Sequence, residues 1–316
     1  MIPEAEILNF TSEVAEGDIS HQESLEVPEH LIPEAEILNS TSEVAEGDVS
    51  HQESLRDEDF IRQVGDRRFK IRSFHVSKDG FTEAECEDKN AISPHNASTL
   101  RVAISDGATE GVFSNIWAEL LVNSYIENGS YILESYNLKL IQSEFVQKAF
   151  QIIASMPETR HWFMYEKLDR GTHATLAAVE FSDSETIQIL TVGDSCVFWQ
   201  DGGGIKMLPE LSSEDFGAFP NTICHLPKTW QNLKQKVVNK EIKFRNNLPI
   251  LLCTDALACW LVKELKEQND FSVLEKISQF SDSNTFEEFI QGLRERKEIR
   301  NDDVTLVVID VLPLNV

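Results

Sequence analysis

Lysine and arginine are scarce in this sequence. Its 316 residues carry 28 of them against 54 aspartates and glutamates, a formal net charge of −26. Such a balance argues against a nucleic-acid backbone or an anionic membrane surface as the main partner, and it suits a protein that concentrates cations. Cysteine is sparse as well. The five present (Cys86, Cys196, Cys224, Cys253, Cys259) are odd in number, and no two are spaced as a CxxC pair. They read as free or buried thiols of a reducing compartment, not as a disulfide frame or a zinc site. No apolar run is long enough to span a bilayer. The opening segment MIPEAEILNF lacks the basic and apolar regions of a secretory signal. These absences predict a cytoplasmic chain with no membrane partner. What is present is core material: 41% hydrophobic residues and 18 phenylalanines exclude disorder throughout.

The charge is uneven. Residues 1–60 hold 17 acidic residues and one basic residue, Arg56. Within them, residues 2–25 recur as residues 32–55, differing only at Phe10/Ser40 and Ile19/Val49. Two copies are too few for a solenoid. Each has too little apolar surface to offset its ordering entropy. The expectation is two regions: a disordered, duplicated acidic tail over 1–60 and a folded domain over 61–316. The tail reads as a solvated linker. Its sharper reading is a bivalent docking peptide for a partner, with avidity from the second copy.

In the folded region, residues 68–77 alternate like a strand, and 100–105 is a short apolar run. Residues 114–127 and 143–155 have helical spacing. Residues 172–181, 187–193 and 196–200 are β-rich, and Asp201-Gly202-Gly203-Gly204 is a hairpin turn. An apolar strand over 248–254, helices over 256–266 and 284–296, and a closing strand over 304–311 complete the pattern. Strand runs interrupted by paired helices predict an α+β fold of antiparallel sheet with helices outside.

One feature recurs. Apolar strands end in a carboxylate beside a small residue: Ser105-Asp106-Gly107, Gly193-Asp194-Ser195 and Thr254-Asp255-Ala256. Asp302-Asp303 precedes the last strand, and Glu87-Asp88 follows the first after a loop. A carboxylate at the end of a buried strand is costly unless paired. Lysine and arginine are few beside these positions, so the expected partner is a hard divalent cation, Mg²⁺ or Mn²⁺. Any one of the acids alone is an ordinary turn residue; the conjunction carries the argument.

The order and wording of these segments resemble the metal-dependent protein phosphatases of the 2C type, the PP2C or PPM family. The blocks are CEDKNAIS (86–93), RVAISDGATEG (101–111), LDRGTHATLAAVEF (168–181), LTVGDSCVFW (190–199), ILLCTDALACWL (250–261) and RNDDVTLVVIDV (300–311). Together they cover roughly residues 68–311. The resemblance implies an αββα sandwich, two antiparallel sheets flanked by helices, with a dinuclear metal site at one end. It implies that Asp106 bridges two ions and that Asp255 and Asp302 complete the first, these three forming the catalytic core. Glu87 and the carbonyl of Gly107 would hold the second ion. Asp169 matches a position that holds a third ion in some members. Asp88, Asp194 and Asp303 would stand behind the ligands. The implied reaction is hydrolysis of phosphoserine or phosphothreonine in a protein by direct attack of water held between Mn²⁺ or Mg²⁺ ions, in a monomer that binds no nucleic acid.

The sequence departs from that pattern where the family places a phosphate-holding arginine: Glu83 stands there, and Arg72, Lys78 or Arg170 are the candidate replacements. The glycine-rich stretch after Asp106-Gly107 is thinned to ATEG (108–111). His173 stands where a small hydroxyl residue is common and reads as a packed side chain. Two other readings remain. One is a phosphatase-like pseudo-enzyme that keeps the metal and binds a partner. The other is an acidic interaction protein whose Asp-Gly turns are ordinary.

Overall fold

The computed structural model describes residues 61–109, 111–183, 185–201, 204–217, 221–243, 249–266 and 272–312. The acidic repeats, and the docking role expected of them, lie outside the described residues. All described residues belong to one compact unit, Glu46–Val316.

Two sheets carry the fold. The first contains β1 (Ile61–Val64), β2 (Arg67–Val76), β8 (Cys196–Asp201), β9 (Gly204–Leu208), β12 (Ile250–Cys253) and β13 (Val304–Leu312), in the order β1-β2-β13-β12-β8-β9. The second contains β3 (Lys89–Ile92), β4 (Leu100–Ser105), β6 (Leu176–Phe181), β7 (Thr186–Val192) and β11 (Val238–Lys243), in the order β11-β7-β6-β4-β3. A short ribbon pairs β5 (His173–Ala174) with β10 (Ile223–Cys224). Every pairing is antiparallel. The helices are α1 (Ser114–Asn128), α2 (Ser135–Ser155), α3 (His161–Arg170), α4 (Leu233–Lys236), α5 (Asp255–Lys266), α6 (Ser272–Ser278) and α7 (Ser283–Glu295).

Period-two alternation sorts the strand side chains into layers. On β13, Val307, Ile309 and Val311 face the other sheet, where they meet Val102, Ile104, Val179 and Ile189. The alternate residues Val304, Leu306 and Val308 face outward onto Leu257, Leu261, Phe286 and Ile290 of α5 and α7. On β6, Ala177 and Val179 point into the sandwich, while Leu176 and Ala178 point to Trp117, Leu121 and Phe145 of α1 and α2. Three apolar layers therefore stack as helix, sheet, sheet, helix. Strands buried on both faces have no polar side, which explains why ILLC (250–253) and LVVI (306–309) read as unbroken apolar runs.

Two boundaries differ from the sequence expectation for clear reasons. Helix α2 starts at Ser135, not near 143, because buried Leu138 and Ile141 continue the face of Phe145, Ala149 and Ile153. The strand expected over 172–181 is split into β5 and β6 at Thr175, whose groups turn to hold the backbone of Asp106.

Candidate active site

The register collects the strand-end acids at one end of the sandwich. Lys89, first in β3, pairs with Ser105, last in β4. Leu176, first in β6, pairs with Val192, last in β7. In the facing sheet, Cys253, last in β12, pairs with Cys196, first in β8, and with Leu306 near the start of β13. Val304, first in β13, pairs with Val76, last in β2. The loops carrying Glu87-Asp88, Asp106, Asp194, Asp255 and Asp302-Asp303 thus leave from a common edge.

Three of these acids converge. Among the described residues, Asp106, Asp194 and Asp255 form one group whose carboxylate oxygens lie within 4.8 Å of one another. Asp106 is fixed through its backbone: its N–H donates to Thr175 Oγ1 (3.0 Å) and its carbonyl accepts from the Thr175 N–H (2.9 Å). Thr175 Oγ1 is in turn hydrogen-bonded to Ser195 Oγ at 2.6 Å. Asp194 follows Gly193, whose φ of +101° is open to glycine and strained for other residues. Asp255 opens α5, where the helix N-terminus favours negative charge.

Gly107 lets α1 close on the site. A Cβ there would stand 2.8 Å from the backbone carbon and oxygen of Ser114. Gly107→Ala is therefore expected to push α1 away and cost roughly 1–3 kcal/mol, read as a lowered denaturation midpoint. An unchanged midpoint would show that α1 does not need this close approach.

The electrostatics are those of crowded, desolvated acids. Burial, then the charges of Asp88, Asp194 and Asp302, hold the Asp106 carboxyl well above its ordinary range, while the Arg300 charge pulls the other way. Burial also raises Asp194, with Arg300 and the Gly217 amide opposing. Burial pushes Asp88 up to about 7 despite the hydrogen bond it accepts from Thr254 Oγ1. Asp88 Oδ1 and both carboxylate oxygens of Asp194 are buried without a partner of hydrogen-bond geometry. Orphaned anionic oxygens in a dry site are costly, and a bound cation removes that cost.

The other expected site residues sit around this group. Asp302 lies outside the triad, with Oδ2 at 3.6 Å from Arg300 Nε, and its charge acts on Asp106. Asp303 accepts from the backbone N–H of Lys78 (2.9 Å) and of Glu87 (2.8 Å), so it ties the ends of β2, β3 and β13 together. Glu87 is outside the triad and fully engaged. Its Oε2 accepts from Lys78 Nζ (3.0 Å) and Thr109 Oγ1 (2.7 Å), and its Oε1 from Ser114 Oγ (2.5 Å). The Gly107 N–H donates to the Glu87 carbonyl at 3.3 Å, which keeps the two loops together. Asp169, in the last turn of α3, is also outside the triad; its charge acts on His225.

One expectation needs correction. The strand-end acids do have basic partners. Arg300 is ion-paired with Asp255, and Lys78 with Glu87. The pairing was hidden because Arg300 lies 45 positions along the chain from Asp255, and the fold brings them together.

A family model described as protein phosphatase 2C matches residues 81–298. The chain belongs to the protein phosphatase 2C family. Among curated proteins, none matches the sequence. Solved structures similar to this phosphatase 2C chain include the serine/threonine phosphatase Stp1 from Staphylococcus aureus, at 12% identity and a TM-score of 0.51, covering 79% of this chain and 98% of that one. Another is the catalytic domain of the serine/threonine phosphatase PstP, solved in complex with 2 manganese ions, at 17% identity and a TM-score of 0.47, covering 78% and 100%. A third is the phosphatase domain of SpoIIE from Bacillus subtilis, at 17% identity and a TM-score of 0.43, covering 80% and 96%. The likeness to Stp1 is one of fold: the sandwich of antiparallel sheets with outer helices is the phosphatase 2C architecture. No helix among the described residues is long and apolar enough to cross a membrane.

Against that family background, the candidate phosphate-holding groups separate. Arg72 is tied to Asp310 and to the carbonyls of Phe280 and Ser278. Arg170 pairs with Glu166 on the exposed face of α3. Lys78 stays beside the site. Burial would lower its pKa, but the hydrogen bond and charge of Glu87, with Asp303 and Asp302, raise it. Glu83, Lys78 and Asp88 line a polar cleft of about 600 Å³ next to Glu87.

Proposed function

We propose that this phosphatase 2C chain is a metal-dependent protein phosphatase that hydrolyses phosphoserine and phosphothreonine with Mn²⁺ or Mg²⁺. The observation that carries the reading is the convergence of the Asp106, Asp194 and Asp255 carboxylates, with the buried Asp88 Oδ1 also lacking a partner of hydrogen-bond geometry. An all-oxygen, anionic donor set suits a hard divalent cation. In this reading Asp106, Asp255 and Asp302 hold one ion, with Asp194 closing the set. Glu87 and the Gly107 carbonyl take part in a second site, and Asp169 in a third. Bound there, such ions supply a water acidified towards neutral pH and neutralise charge on the phosphoryl oxygens.

The protein's own share is positioning and exclusion of water. The Thr175 bonds fix where the Asp106 carboxylate stands, and Asp303 fixes the Glu87 loop through two backbone amides. The raised pKa values of Asp88, Asp106 and Asp194 mean that cation binding releases protons, so affinity rises with pH. Lys78, paired with Glu87 and lining the polar cleft, is the cation this reading assigns to a phosphoryl oxygen.

The engagement of both Glu87 oxygens, with Glu83 at the arginine position, favours a second reading: a phosphatase-like module that binds metal and partner with little turnover. Hydrolysis of a phosphothreonine peptide and an aryl phosphate separates the two. Turnover with Mn²⁺ or Mg²⁺ and none in EDTA is the expected result. Metal binding without turnover would establish the module, and turnover that persists in EDTA would sink both.

A further inference from the structure

The acid cluster contains a cation of its own. Arg300 sits in the loop between α7 and β13, and its Nη2 contacts Asp255 Oδ2. Its Nε lies 3.6 Å from Asp302 Oδ2. Its Nη1 packs against Gly217, where a Cβ would stand 3.1 Å away. The guanidinium charge also bears on Asp106 and Asp194, lowering the pKa of each against their burial. One side chain therefore touches or acts on four of the acids assigned to the metal site.

We infer that Arg300 is a resident counter-cation that holds Asp255 in the place of a divalent ion, and that metal binding displaces its guanidinium. This rests on the reading of the cluster as a metal site. The exchange is physically easy. The Arg300 side chain is 38% exposed while Asp255 is 12% exposed, so the guanidinium approaches from the solvent side on an irregular loop. An ion pair with one partly exposed partner is weak, because water competes for it. A guanidinium spreads one charge over a plane, whereas Mn²⁺ or Mg²⁺ brings two charges on a small ion that accepts oxygens from several directions. Among the described residues no other basic side chain is ion-paired to the triad. Lys78 is held by Glu87, and Arg294 is buried against the Asp302 carbonyl and Asp79.

The arrangement raises the cation concentration needed for loading and keeps the acids in register before loading. Without Arg300 the empty cluster would carry the same negative charges with less to hold them together. The loaded cluster would lose nothing, since the guanidinium has already left. Arg300→Gln keeps most of the bulk and removes the charge; Arg300→Lys keeps a charge.

Titration of the full chain with Mn²⁺, following free ion by electron paramagnetic resonance, tests this. Arg300→Gln is expected to bind Mn²⁺ about three- to fivefold more tightly than wild type, and Arg300→Lys within about 1.5-fold of wild type. The Gln variant should also melt lower than wild type in EDTA and at the same temperature in saturating Mn²⁺, which shows that it folds. Asp106→Asn marks binding at the cluster by abolishing it. Wild-type binding that Asp106→Asn removes, combined with equal or weaker binding by Arg300→Gln, would overturn the inference and leave the metal site standing. Absence of Mn²⁺ binding by wild type and Arg300→Gln alike would overturn both.

Discussion

Asp106→Asn is expected to lose about three orders of magnitude or more in metal-dependent phosphatase turnover while making the metal-free protein more stable. The loss follows from removing one anionic charge and one oxygen ligand at the centre of the cluster. A catalytic cation contributes several kcal/mol to the transition state, and each 1.36 kcal/mol is tenfold in rate. The gain in stability follows from the raised pKa of Asp106. Burial comes first among its causes, then the charges of Asp88, Asp194 and Asp302. An asparagine has no charge to desolvate and none to repel its neighbours. Opposite signs for activity and stability are what a functional cluster of like charges should give. The measurements are kcat/KM on an aryl phosphate in Mn²⁺ and the denaturation midpoint in EDTA. A variant with wild-type turnover would remove Asp106 from the chemistry.

The second large effect is on stability against pH without metal. Asp88 moves from an ordinary 3.8 to about 7 on folding, and Asp106 and Asp194 are raised as well. Between the unfolded and folded values the native state holds more protons than the unfolded state, so stability falls as pH rises. The contribution is fully present below about pH 4 and is lost as pH climbs through 7. Exposed turn acids such as Asp183, Asp215 and Asp282 have lowered pKa values and act in the opposite sense at more acidic pH. Saturating Mn²⁺ should flatten the decline, because the ions replace the protons and stabilise the state they bind. Urea midpoints at pH 5 to 8, with EDTA and with Mn²⁺, give both curves. A midpoint in EDTA that rises over that span would contradict the buried-acid account.

Much of the fold was legible because its strands are buried on both faces or alternate cleanly. Val304–Leu312, Ile250–Cys253 and Leu100–Ser105 stand where their apolar runs predict. The short edge strands β1, β3 and β11 were not legible, since their burial is partial and their sequences mix charge with Ile and Val. Helix α3 was equally hard to see: only Leu168 of its ten residues is buried. At the site, Asp106 and Asp255 could be read as strand-end acids that meet. Asp194 shares that signature, yet the family pattern placed it behind the ligands, while the fold groups its oxygens with theirs. Lys78 was already a candidate phosphate-holding group in the sequence, but the pairing of Arg300 with Asp255 was out of reach, because a local reading of charge does not register partners brought together by the fold.

The pairing of β2 with β13 joins the two ends of the described domain, and the hydrogen bond from the Glu87 amide to Asp303 spans 216 residues. The cluster is consequently a property of the closed chain. Its carboxylates, Asp106, Asp194 and Asp255 with Asp302 beside them, come from separate strand ends, and the shortest segment that contains them all runs from 106 to 302. Closing so long a loop is entropically uphill until the last contacts form. A partly folded chain can hold sheets and helices and still offer a divalent ion only scattered acids. The site thus exists only where these distant strand ends have been brought to one edge of the sandwich.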